Sequence, residues 1–190
     1  PVDAEKPLSV ANFVCAADQI SKVLLIGDTN DSNGITIPTE LGKRIGMDAI
    51  SPRDFLTAVH TRVQDYLQWL EIPPERSGMM PPQEPSGQSA LIHSFGAPDR
   101  MLELFFANQG LDVTIDTAAT DKPPAFVLYD LRNGNPPPDK APAAPPPGIP
   151  AIVLRGHGEL PPFVPATATL LAVPFNFVSL LQAITPKSDD

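Results

Sequence analysis

A single cysteine, Cys15, is present among 190 residues, so no intramolecular disulfide can staple the fold. Cys15 falls among the apolar positions of a helical pattern, and burial is expected for it. Long apolar runs are missing too: none approaches the length that spans a bilayer, so no membrane association is expected. The first residues carry none of the charged, apolar and small-residue steps of a secretory signal, and a cytoplasmic location is expected. Basic residues are scarce, with 13 Lys and Arg against 22 acids and a net charge of −9. Residues 1–88 hold 12 acids and 7 basic residues, and residues 89–190 hold 10 and 6. Neither part has the basic excess that gathers phosphate backbone through counterion release, so the charge gives no support to nucleic-acid binding. There is no Gly-x-Ser-x-Gly elbow, no glycine-rich phosphate loop and no metal-ligand spacing.

Proline is what the chain has in excess, with 25 residues. Two clusters divide the sequence. Residues 73–88 read as a linker between an N-terminal unit, residues 1–72, and a second domain, residues 89–186. Residues 133–150, with Pro136-Pro137-Pro138 and Pro145-Pro146-Pro147, form a low-complexity insertion that cannot be helical, because proline removes donors and clashes with the preceding turn.

In the N-terminal unit, Ser9 caps a helix with apolar positions Val10, Phe13, Val14, Ala17 and Ile20. Val23-Leu24-Leu25-Ile26 and Ile35-Thr36-Ile37 read as short strands around a polar hairpin loop, residues 28–34. That loop alternates side-chain oxygens as a calcium loop does, but Asn33 and Thr39 occupy the places of its glycine and glutamate. Pro38-Thr39 starts a short helix that ends near Gly46. Ser51-Pro52-Arg53-Asp54 caps a longer helix with the stripe Phe55, Val59, Val63, Leu67 and Leu70, and Pro73-Pro74 stops it. His60 is expected on that helix's surface and Trp69 in the core. The whole is a small α/β or mostly helical unit.

The second part is more regular. A strand, Ala90-Leu91-Ile92-His93-Ser94, precedes a helix opened by Pro98-Asp99 and ended by Gly110. A second strand occupies residues 111–115. A third, Phe126-Val127-Leu128-Tyr129, delivers Asp130-Leu131-Arg132. A fourth, residues 151–154, delivers Arg155-Gly156-His157-Gly158. A fifth, residues 169–172, leads into Val173-Pro174-Phe175, and a last helix starts near Asn176 with Phe177, Val178, Leu181 and Ile184.

This succession resembles the receiver domain of two-component response regulators. The resemblance implies a flavodoxin-like α/β fold, a five-stranded parallel sheet in the order 2-1-3-4-5, with its site at the strands' C-terminal ends. A working receiver holds Mg²⁺ on two acids after strand 1, accepts a phosphoryl group on an Asp after strand 3, and binds its oxygens with Ser or Thr after strand 4 and Lys after strand 5. Asp130 stands at the acceptor position. None of His93, Ser94, Phe95, Gly96 or Ala97 is acidic, Arg155 replaces Ser or Thr, and Val173 replaces Lys, while Pro174 and Phe175 match the family. Metal binding and Asp130 phosphorylation are therefore expected to be lost, leaving no cofactor. Arg155, from the adjacent strand, is expected to pair with Asp130, with help from His93. Helices 3 and 4 of the family are missing, since residues 133–150 and 156–168 are rich in proline. The exposed sheet face then needs cover from the N-terminal unit or from a second chain.

These readings point to a non-catalytic, phosphorylation-independent regulatory module that acts through a protein partner or as a homodimer. The proline insertion then offers an extended segment to a partner or lies in solvent. Two alternatives stay open: a transcription regulator binding DNA through its N-terminal unit, and a hydrolase using His93, Ser94 and Asp130.

Overall fold

The structure, a computed structural model, describes residues 7–24, 37, 39–73, 82–96, 99–116, 123–156 and 158–185. Three helices come first: α1 (Val10–Val23), α2 (Thr39–Arg44) and α3 (Pro52–Trp69). Ser9 caps α1 in a reciprocal box, its hydroxyl accepting from the Asn12 N–H while the Asn12 side chain accepts from the Ser9 N–H. Ser51 caps α3 by accepting from the Asp54 N–H, with Pro52 in the first turn. Residues 25–36 and Pro38, which hold most of the two expected N-terminal strands and the polar loop, lie outside the described residues.

Several N-terminal expectations need correction. Val23 and Leu24 do not begin a strand: Val23 closes α1 and Leu24 is its C-cap. The buried side of α1 is Ala16, Gln19 and Val23, with Ile20 packed beside them, whereas Val10, Phe13 and Val14 are exposed. Residues 16, 20, 23 and 24 continue the helical period, so the stripe that packs lies further along and around the helix than the one read first. Cys15 is exposed because it stands off that side. In α3 only Leu56 is fully buried, with Phe55 and Val59 packed around it. Leu70 and Trp69 are exposed, Trp69 to 77%, so the second half of α3 runs away from the core.

The rest forms one parallel sheet, β1 (Ser89–Ser94), β2 (Asp112–Ile115), β3 (Phe126–Leu131), β4 (Ala151–Arg155) and β5 (Thr169–Ala172), in the order β2-β1-β3-β4-β5. This is the expected α/β arrangement. Helix α4 (Arg100–Asn108) joins β1 to β2, and α5 (Phe177–Ile184) follows β5. Asp99 caps α4 by accepting from the Met101 N–H, and Asn176 caps α5 through Ser179. Gly110 ends α4 at φ +73°, and a Cβ there would stand 2.4 Å from the Glu84 carbonyl, so only glycine fits.

Strand residues alternate between two cores. Ala90, Ile92, Phe126, Leu128, Ile152 and Leu154 pack against α4, α5 and, beyond them, Val23, Met47 and Leu56 of the N-terminal part. Val127, Tyr129, Leu131, Ala151 and Val153 face the other way. Right-handed crossovers put the connections after β2, β3 and β4 on that second face. Among the described residues none of them is α-helical; the one helical segment there is a short 3-10 turn, Pro138–Lys140.

The N-terminal helices do not cover this bare face. They dock on α4, on the opposite side, where Arg100 donates to the Met47 carbonyl (2.9 Å), the Ile50 carbonyl (2.5 Å) and Glu103 (2.7 Å). The bare face is covered by its own connections instead: Ile149, Leu160, Phe163, Val164 and Ala168 pack on it. The described end of the expected linker is tied down, with Gln83 N–H bonded to the Asn108 carbonyl and Ser86 N–H to that of Gly110.

Candidate functional site

All six residues of β3 are buried, and Asp130 is carried near its C-terminal end. A carboxylate at 4% exposure needs compensation. The chain supplies it two residues on, where it leaves the strand. Arg132 grips Asp130 with both arms of its guanidinium, Nε to Oδ1 at 2.7 Å and Nη2 to Oδ2 at 2.6 Å. Its backbone N–H also donates to Oδ1, at 3.3 Å. The same Nη2 donates to Oδ2 of Asp99 at 2.5 Å, while Oδ1 of Asp99 caps α4. Phe175 lies under the guanidinium, 5.8 Å from its centre. Burial opposes the charge on Arg132, but the bonds to Asp130 and Asp99 outweigh it and raise the pKa above its ordinary value. One cation thus bridges the acid at the end of β3 and the acid that opens α4.

This arrangement does not fit the divalent metal that a receiver would hold. Asp99 is the only described acid in the β1–α4 connection, and both it and Asp130 are bonded to a fixed guanidinium. Among the described residues, no group of three His, Cys, Asp or Glu side chains is placed to hold a metal ion.

The expected Asp130–Arg155 pair is not formed. Arg155 stands beside Leu131 in the register, not beside Asp130, and it donates to the Gly158 carbonyl at 2.6 Å. Strand alternation puts its side chain on the opposite face. His93 does not help Asp130 either. It is paired with Tyr129 across β1 and β3, and the two rings stack at 5.4 Å. Ser94 is the register partner of Asp130 and gives its N–H to Asp116 at 3.1 Å. Because His93 and Asp130 face opposite sides of the sheet, the three suggested hydrolase residues do not converge. Val173 is exposed and precedes Pro174 through a cis peptide, and Phe175 is buried against the Arg132 cluster. His157 lies outside the described residues.

A second constellation occupies the bare face. Asp116 follows β2 at φ +50°, a left-handed conformation that Asp tolerates better than most residues. Its N–H is bonded to the Ile92 carbonyl, and its Oδ1 lies 3.5 Å from His93 Nδ1. Burial lowers the His93 pKa, and the neighbouring Asp116 opposes that shift without cancelling it. Beside them opens a cavity of about 950 Å³ floored by Leu91 and Val127 and walled by Pro123, Pro124 and the proline-rich segment 135–146. The proline insertion therefore borders a cavity on the sheet.

Sequence reading missed Arg132, Asp99 and Asp116. Arg132 was visible as the residue two after Asp130, where a chain leaving a strand can fold back on its own acid. Asp99 was visible as a helix cap. Asp116 carried no signal beyond its place after a strand. Comparison with protein-family models, with curated proteins and with solved structures found no match for this chain.

Proposed function

We propose that this chain is a receiver-like regulatory module that works without phosphorylation, through contact with a protein partner or a second copy of itself. The observation that carries this reading is the Arg132 clamp. A guanidinium held by Asp130 and Asp99 supplies, from within the chain, the positive charge that a metal ion and phosphoryl-binding side chains would bring. The acceptor-like carboxylate then has no free face for an incoming phosphoryl group. Exposed apolar side chains support contact with another protein: Val10, Phe13 and Val14 on α1, and Tyr66 and Trp69 on α3.

The test is an NMR titration of the full chain with beryllofluoride and Mg²⁺. No saturable shift is expected at Asp130 or its neighbours. Saturable, Mg²⁺-dependent shifts there would sink the reading.

A further inference from the structure

We propose that the cavity over β1 and β3 binds a neutral, planar aromatic molecule carrying a hydroxyl or amine donor. The inference is independent of the regulatory reading, since the cavity and Asp130 are on opposite faces of the sheet.

A volume of about 950 Å³ is at the upper end of the range for small-molecule pockets. Its floor is aliphatic, Leu91 and Val127, and its walls include Pro123, Pro124, Pro142 and Pro145. Proline rings and branched aliphatic groups present rigid apolar surfaces without N–H donors, which suit a planar ring better than a flexible polar chain. The polar end is set by His93, whose side chain is only 13% exposed. With Nδ1 turned toward Asp116, Nε2 is the remaining ring nitrogen, and burial favours the neutral imidazole. In that tautomer Nε2 is an acceptor. The Asp116 carboxylate accepts as well, from a side chain that is half-exposed. Two acceptors at one end of the cavity favour a donor from the ligand. Lys140 also lines the cavity, but it is exposed, so solvent screens its charge, and an anion would also meet the Asp116 carboxylate.

The test uses the full chain and three probes, 2-naphthol, naphthalene and 2-naphthoate, followed by calorimetry and by amide shifts. Wild type is expected to bind 2-naphthol saturably at one site, with shifts at Leu91, His93, Asp116 and Val127. His93→Phe keeps the stack on Tyr129 and removes the acceptor. It should weaken 2-naphthol about tenfold while changing naphthalene by less than about twofold. 2-Naphthoate should bind more weakly than 2-naphthol. Ala143→Trp, which fills the cavity from an exposed position in its wall, should abolish binding of both neutral probes without touching the sheet. Absence of saturable 2-naphthol binding to wild type would overturn the proposal. So would equal losses of naphthol and naphthalene in His93→Phe, a tighter 2-naphthoate, or undiminished binding in Ala143→Trp.

Discussion

Arg132 and Arg155 sit at the ends of neighbouring strands, and their environments predict opposite responses to truncation. Arg132→Ala leaves Asp130 and Asp99 buried without their cation, and a loss of about 3–5 kcal/mol is expected in urea unfolding. Arg132→Lys should recover little, because an ammonium cannot make the two parallel bonds to Asp130. Arg155→Ala gives up one bond to a loop carbonyl, and its cost should stay within about 1 kcal/mol. If the two alanine variants unfold at the same urea concentration, the clamp is not what compensates Asp130. His93 gives a pH dependence. Its folded-state pKa is below the ordinary value near 6.5, so on acidification the unfolded chain takes up the proton first. The contribution is complete above that value and declines as pH falls toward the folded pKa. Wild type should therefore lose more stability between pH 7.5 and 5.5 than His93→Phe does, measured as urea midpoints. Asp130 was legible as a residue, because the most apolar strand delivers it. Its partner was not, since one step of register moves a side chain to the other face and nothing in the sequence of β4 fixes that step.

Secondary-structure elements were read well wherever capping chemistry marks them. Ser9, Ser51, Asp99 and Asn176 each open a helix as expected, and Gly110 ends α4. Faces were read less well. Both α1 and α3 carry more apolar positions than they bury, so periodicity marked a helix in each case without marking which side packs. Two glycines separate conformational cost from close approach. Gly148→Ala meets open space at φ +84° and should cost about 1 kcal/mol. Gly110→Ala adds the displacement of the Glu84 backbone and should cost more than about 2 kcal/mol. Equal thermal midpoints for the two variants would show that the 82–86 segment yields freely. Within α3, Leu56→Ala should destabilise by about 2–4 kcal/mol, against less than about 0.5 for Trp69→Ala.

Across the molecule, the N-terminal helices and the sheet share one buried core through α4. Val23, Met47 and Leu56 belong to the same cluster as the strand residues, and Arg100 of α4 holds the carbonyls of Met47 and Ile50. Calorimetry of the full chain should show a single cooperative transition. Two separated transitions would mean that this contact is too weak to couple the parts. The proline content of residues 133–150 and 156–168 marked them as non-helical but not as the cover of the sheet, because irregular segments carry no period that says where they lie. Half of the residues in the 135–146 segment are proline. Each lacks the amide hydrogen that a covering loop would otherwise have to satisfy above an apolar floor. The same lack removes half of this segment's reporters from amide hydrogen exchange. An exchange map of the protein would see this wall only through Asn135, Asp139, Lys140, Ala141, Ala143 and Ala144, and proline carbon signals would have to report the rest.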